Sequence, residues 1–256
     1  MKRLKLPYHI GFALLLCLLL SSCAYNSSLS LSSSQNVPLL TKQHDARIEV
    51  GTGTQNIGVQ AAYAITNHLE VMGNLSFGQN LSPSDPHIGG RDFLQGPRIG
   101  GEFGMGYFSK IDTSIPFELL GGVERYYRAF MNGTFTSTDN ITTNITKPFI
   151  QGDIGFNISK GVQIGLSCRF GYLLYDHYID NINSGGDTTI KIKTRTITYN
   201  SNLPIIEPSI TFRCGRRDFR FMFQYGLSIT PYLAQKDNLD LFFNMGLSYT
   251  FTSTSN

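Results

Sequence analysis

Residues 219–230 read FRFMFQYGLSIT. Phe219, Phe221, Phe223, Tyr225, Leu227 and Ile229 share one parity, while Arg220, Gln224 and Ser228 share the other. Successive side chains of an extended chain point to opposite faces, so this alternation predicts a strand with one apolar and one polar side. The neighbouring segment 239–251 repeats it, with Leu239, Leu241, Phe243, Met245, Leu247, Tyr249 and Phe251 set against Asp240, Asn244, Ser248 and Thr250. The two are joined by residues 231–238, a spacing that fits antiparallel neighbours.

Working outward, the same period-two pattern recurs at 203–214, 162–178, 147–158, 115–135, 98–109, 68–78, 56–65 and 46–53. That makes about ten strands, in a range of 8–12. The connections after the first hairpin alternate short and long. Short ones occur at 66–68, 110–114, 159–161 and 215–218; longer ones span 79–97, 136–146 and 179–202, with 231–238 intermediate. Short turns on one side and longer loops on the other are the rhythm of an antiparallel up-and-down transmembrane β-barrel. The expected fold is therefore all-β, a single barrel over residues 44–256, with its external loops the expected place for any specificity.

The amino terminus is of another kind. Lys2, Arg3 and Lys5 precede an apolar run from Ile10 to Leu20, too short to span a bilayer and ordered as an export signal. It ends in Leu20-Ser21-Ser22-Cys23, which resembles the bacterial lipoprotein signal: an apolar residue, two small residues and a cysteine whose thiol accepts diacylglycerol. The resemblance implies removal of residues 1–22 and acylation of Cys23, which would anchor the chain in the outer membrane. Residues 23–43 then read as a flexible, Ser- and Asn-rich lipidated tether. The signal holds three basic and no acidic residues, so the +3 charge of the 256-residue chain falls to zero over the remaining 234.

Composition excludes other classes. With 18 Phe and 13 Tyr the chain is too aromatic for disorder, and it is neither basic nor clustered enough for nucleic-acid binding. No GxSxG, Walker or HExxH pattern occurs, and His44, His68, His87 and His177 lack metal-ligand spacing. The reading is therefore no enzyme, no metal and no cofactor. A membrane-embedded lipid hydrolase, using Asp176-His177 with a serine from another strand, is a minor alternative.

Glu102, Glu118, Glu124, Asp153, Arg169, Glu207, Arg213 and Arg220 fall on the polar parity and are expected to form a charge network in a narrow lumen, because barrels of this size are filled by side chains. Facing lipid at mid-depth, each would cost about 2–4 kcal/mol. Pro208 is expected at a bulge or strand end. Cys168 and Cys214 leave two readings open, a disulfide and two free thiols, with unequal distances from the strand ends favouring the thiols. Segment 188–199, with Lys191, Lys193 and Arg195, is expected above the membrane, where it could meet lipopolysaccharide phosphates or be simply solvated.

A family resemblance rests on Val37-Pro38-Leu39-Leu40, the run Ala46–Gly53, residues 60–68 (QAAYAITNH), Val71-Met72-Gly73-Asn74 and the terminal Gly246–Phe251. These resemble uncharacterised outer-membrane β-barrel proteins of Bacteroidetes. The resemblance implies outer-membrane lipids and lipopolysaccharide as surroundings, and the barrel-assembly machinery as a biogenesis partner that reads the aromatic ending at Phe251. It brings no activity with it. A structural or surface-interaction role is therefore expected. The alternative is a periplasmic lipocalin-like lipoprotein carrying an apolar ligand; it differs in which face is apolar, and parity alone does not say which face is outside.

Overall fold

The structure, a computed structural model, describes residues 34–53, 56–79, 93–112, 114–134, 137–183, 192–196, 203–216, 218–230 and 239–252. The export signal, Cys23 and the residues 80–92, 184–191 and 197–202 expected in external loops lie outside the described residues, as do the side chains of Asp176, His177, Lys193 and Arg195.

Eleven strands follow in chain order: β1 Ala46–Gly53, β2 Ile57–Ala64, β3 Leu69–Gln79, β4 Phe93–Asp112, β5 Ile115–Thr134, β6 Ser137–Ser159, β7 Val162–Asn183, β8 Ile192–Thr196, β9 Leu203–Arg216, β10 Phe219–Ile229 and β11 Leu239–Phe251. Each pairs antiparallel with its neighbour, β7 with β9 and β11 with β1, so ten strands close a ring. The seam runs from Ala46↔Phe251 to Gly53↔Asn244 without a shift. Closure removes the open edges that would otherwise invite further pairing. Strand β8 stays outside the ring and pairs only with the last turn of β7, from Ile179↔Thr196 to Asn183↔Ile192.

The parity question is answered by burial. Ile99, Phe103, Met105 and Tyr107 on β4, with Phe219, Phe221 and Phe223 on β10, point outward, and Met105 is 60% exposed. Their alternates Arg98, Glu102 and Phe108, with Met222, Gln224 and Ser228, are buried inside. The apolar face is the outer one on every strand of the ring whose side chains are described. Tyr63, Tyr107, Phe219, Tyr249 and Phe251 cluster around the end with the short turns, here the lower end, with Tyr249 and Phe251 in edge contact at 4.6 Å. Aromatic rings at one rim are what a barrel places at a lipid–water boundary.

The wall is uneven in height. Strands β1 and β2 turn back at Gly53, whose N–H donates to Asn56 O at 2.8 Å, whereas β5 and β6 stay paired to Thr134↔Ser137. Residues 137–146 of the segment read as loop 136–146 are thus strand, and β4 begins at Phe93, inside the segment read as loop 79–97. The reason is local: STDNITTNIT, residues 137–146, has two Ile among eight polar residues. So few apolar residues leave no alternation by which to recognise a strand. This hairpin rises about 25 Å above Lys147 at about 3.3 Å per residue and a 40° tilt.

Two further expectations are corrected or resolved. Pro208 is neither at a strand end nor at a bulge. It pairs with Cys168 on β7, and the β9–β10 ladder passes from Gly226↔Ser209 to Ile229↔Ile206 in constant register while skipping it. The missing N–H coincides with that gap. Cys168 and Cys214 are free; Cys214 lies opposite Val162, six residues along β7 from Cys168, about 20 Å at strand rise.

Candidate functional site

The lumen holds part of the chain itself. Residues 34–43, assigned to the flexible tether by sequence, do not behave as one: Gln35 to Leu40 are all buried, with Val37, Leu39 and Leu40 at 1% exposure or less. The tether reading fails here because the wall offers these residues partners at every step. Gln60 Nε2 donates to Ser34 O and Oγ at 3.2 and 2.9 Å. Gln35 is held on the opposite wall: its N–H donates to Gln224 Oε1 at 2.9 Å, its Nε2 to Glu207 O at 2.7 Å, and its Oε1 accepts from Ser209 Oγ at 2.8 Å. Asn36 Nδ2 donates to Ala61 O and Asn74 Oδ1, both at 3.0 Å, and Asn36 O accepts from Gln151 Nε2 at 2.6 Å. Val37 O accepts from Arg213 Nη2 at 2.7 Å, and Leu40 N–H donates to Glu118 Oε1 at 2.6 Å. A buried backbone without a sheet must find such partners individually.

The apolar side chains of this plug are seated equally closely. Leu40 packs with Ala62, Ala64, Met72, Phe108, Leu120 and Phe149 in the lower lumen. Leu39 takes a left-handed backbone, φ 51°, a conformation unusual for leucine. Its side chain occupies a notch made by Gly155 and Gly165, which face each other across β6 and β7. A Cβ on Gly155 would come within 2.8 Å of Leu39 Cδ1 and of Pro116 Cγ. We therefore expect Gly155→Val to destabilise the folded chain by about 1–3 kcal/mol through overpacking, read as a lower denaturation midpoint. The same change at Gly152, whose Cβ would meet nothing within 4 Å, should be far milder.

Above the plug lies the charged layer. Arg169 Nη1 and Nη2 donate to the two oxygens of Glu102, both at 2.9 Å, and Nε donates to Gln151 Oε1 at 2.7 Å. Its Nη1 also lies 3.5 Å from Glu124 Oε2, and the guanidinium stands 4.1 Å over the Phe149 ring. Lys147 Nζ bridges Glu124 at 2.9 Å and Glu207 at 2.8 Å, and Ser228 Oγ donates to the other Glu207 oxygen at 3.2 Å. Arg98 and Lys147 both stack on Tyr126, at 4.9 and 5.7 Å. Above sits an apolar group, Tyr126, Ile145, Leu173 and Ile205. Arg169 and Lys147 are fully buried and both are ion-paired with Glu102, Glu124 and Glu207, which is the condition for tolerating them there.

The eight residues read as a lumen network thus divide. Glu102, Glu124, Arg169 and Glu207 meet in one cluster. Arg213 belongs to a lower one, with Nε 2.7 Å from Glu49 Oε1 and Nη1 3.3 Å from Gln163 Oε1. Glu118 holds the plug, and Asp153 accepts from Gln151 Nε2 at 2.9 and 3.1 Å. Arg220 is only half-buried, beside Arg213 and Asp218 at the lower rim. The sequence reading missed Lys147, Glu49, Arg47 and Gln35. Lys147 shares parity with Gln151 and Asp153 in segment 147–158, and Arg47 with Glu49 in segment 46–53, so parity within strands already read would have found three of them. Gln35 gave no signal, since it stands outside any strand.

No group of three or more His, Cys, Asp or Glu among the described residues is arranged to hold a metal ion. A small water-sized cavity beside the plug is lined by Ser34, Gln60, Asn74, Ser76, Gly100 and Glu102.

No protein-family model and no curated protein matches the chain. Solved structures do. The outer membrane protease OmpT from Escherichia coli is similar over 84% of this chain and 100% of that one, with a TM-score of 0.58 and 8% identity. The chain has the fold of outer-membrane β-barrels. Weaker likenesses are to the KdgM porin (TM-score 0.38, 9% identity, covering 81% of this chain and 99% of that one) and to the translocator domain of the autotransporter NalP from Neisseria meningitidis (0.44, 11%, 80% and 87%). At these identities the resemblance is one of architecture.

Proposed function

We propose that this chain is an integral outer-membrane barrel, acylated at Cys23, that acts as a structural or surface-interaction protein through its tall outer wall, with a lumen closed by its own residues 34–40. The observation that carries the reading is the inside-out distribution of polarity: large apolar side chains exposed around the ring, paired charges and a plug within. A lipocalin-like carrier needs the reverse, an apolar interior free to receive a ligand. Along β5 the outward positions Phe117, Leu119, Gly121 and Val123 end at Arg125, a span of nine residues, which matches a tilted strand crossing hydrocarbon. Above that level β6 carries the polar sequence STDNITTNIT, residues 137–146, suited to water and to macromolecular contact.

The lumen supports a closed barrel. Residues 34–40 and the ion-paired cluster of Arg169, Lys147, Glu102, Glu124 and Glu207 fill it, which opposes conduction. The aromatic lower rim supports the lipid boundary.

Carbonate washing of envelopes tests the integral reading. The chain is expressed with an ordinary cleavable export signal and Cys23→Ala, so that no lipid anchor remains. It is expected to stay in the membrane pellet; release into the soluble fraction would overturn the integral barrel.

A further inference from the structure

The direction in which the plug runs has a consequence for the lipid anchor. Ser34 is bonded to Gln60, which lies three residues below the upper end of β2, whereas Leu40 is bonded to Glu118, three residues above the lower end of β5. The chain therefore descends through the lumen. At the lower rim it turns: Asp45 Oδ2 accepts from the Thr41 and Lys42 N–H groups and from Thr41 Oγ1, His44 N–H donates to Ala64 O, and β1 climbs from Ala46. Beneath Ser34 the lumen is filled by Leu39, Leu40, Ala64, Met72, Phe108, Leu120 and Phe149, each 5% exposed or less. A chain arriving at Ser34 has no second passage from below.

The way up is open. Ser34 is partly exposed and borders the small cavity on the β2–β4 side. The wall there is low, because β1 and β2 turn back at Gly53 and Ile57, about 10 Å along the strand from Gln60. Cys23 precedes Ser34 by eleven residues, a reach of up to about 36–40 Å at full extension. The acylated residue therefore has ample length to pass over the β1–β2 hairpin and return to the bilayer at the upper side.

We propose that the amino-terminal segment enters the barrel from its external end, so that acylated Cys23 is anchored in the outer leaflet and residues 24–33 are displayed on the cell surface. This rests on the outer-membrane and acylation reading above. Threading of this kind requires the segment to be in place before the β1–β11 seam closes, since the filled lower lumen leaves no later route.

The test uses the full chain with a short epitope inserted between Asn26 and Ser27, expressed in its outer membrane and checked for folding by heat-modifiable gel migration. Antibody binding is compared on intact and permeabilised cells, and carbonate-washed outer membranes from cells making the anchor-free Cys23→Ala chain are assayed in parallel. Equal labelling before and after permeabilisation is the expected result. Labelling only after permeabilisation, with the chain retained in washed outer membranes, would overturn the external entry while leaving the integral barrel standing. Loss of the chain from washed membranes would overturn both. Should the epitope disturb folding, Ser28→Cys in a Cys168→Ser, Cys214→Ser background, probed with a membrane-impermeant maleimide, gives the same discrimination.

Discussion

Arg169→Met should lower the unfolding free energy of the barrel by about 3–5 kcal/mol, the cost of breaking a buried ion pair by deleting one partner. The side chain is fully buried and holds Glu102 bidentately, Gln151 through Nε and Glu124 at longer range, while packing on Phe149. Methionine fills most of the volume but leaves Glu102 without its cation beside Glu124, which keeps only Lys147, so the loss is chiefly electrostatic. Arg169→Lys should fall between, because an ammonium keeps the charge but lacks the planar fork that engages both Glu102 oxygens. Urea titration of the protein refolded into lipid vesicles reads both variants. A change for methionine within about 0.5 kcal/mol, the range of an unremarkable surface substitution, would mean that the charged layer is solvated rather than buried.

Leu39→Ala is expected to be as costly, about 2–5 kcal/mol, for removing a buried leucine and leaving its cavity. This substitution separates two pictures of the amino terminus. In a flexible tether it would be silent; in the lumen it empties the notch between Gly155 and Gly165. The large side chain and those two glycines complement each other, so Leu39→Ala together with Gly155→Ala should cost less than the two changes summed. The same titration, run on the four members of the cycle, checks it. A silent Leu39→Ala would return residues 34–43 to the status of a tether.

The contrast between these two sites explains what was readable from the sequence. Arg169 is visible because it alternates with Cys168 and Phe170 in a strand that is otherwise apolar on its other face, and parity alone sends it inward. The ring of strands follows from the same signal repeated ten times. Lys147 escaped because it stands first in the alternating segment 147–158, beside residues 137–146, where two isoleucines among eight polar residues carry no alternation. The plug escaped for a deeper reason. Val37, Leu39 and Leu40 are too few to set a period, and the partners of Gln35, Asn36, Val37 and Leu40, namely Gln224, Gln151, Arg213 and Glu118, come from four different strands. Only closure of the ring brings those strands around one segment, so no local pattern encodes the contact. The glycines at 155 and 165 carried the complementary signal, two missing side chains side by side in the wall.

A lumen occupied from within also links the fold to its proposed role. A barrel closed by its own chain presents its specificity at the outer wall, where β4 to β7 extend beyond the apolar band and β8 adds to the last turn of β7. Uneven height makes that wall one-sided, leaving the β1–β2 side low.

The central claim is that residues 34–40 lie inside the closed barrel, and a paired-cysteine trap tests it most directly. A Cβ on Gly165 would lie 3.2 Å from Val37 Cγ1. Val37→Cys with Gly165→Cys, in a Cys168→Ser, Cys214→Ser background, should form a disulfide in isolated outer membranes under mild oxidation, detected as a reducible shift in gel migration. Absence of the shift, with the cysteine at 37 in the folded protein modified freely by a bulky water-soluble maleimide, would contradict the account.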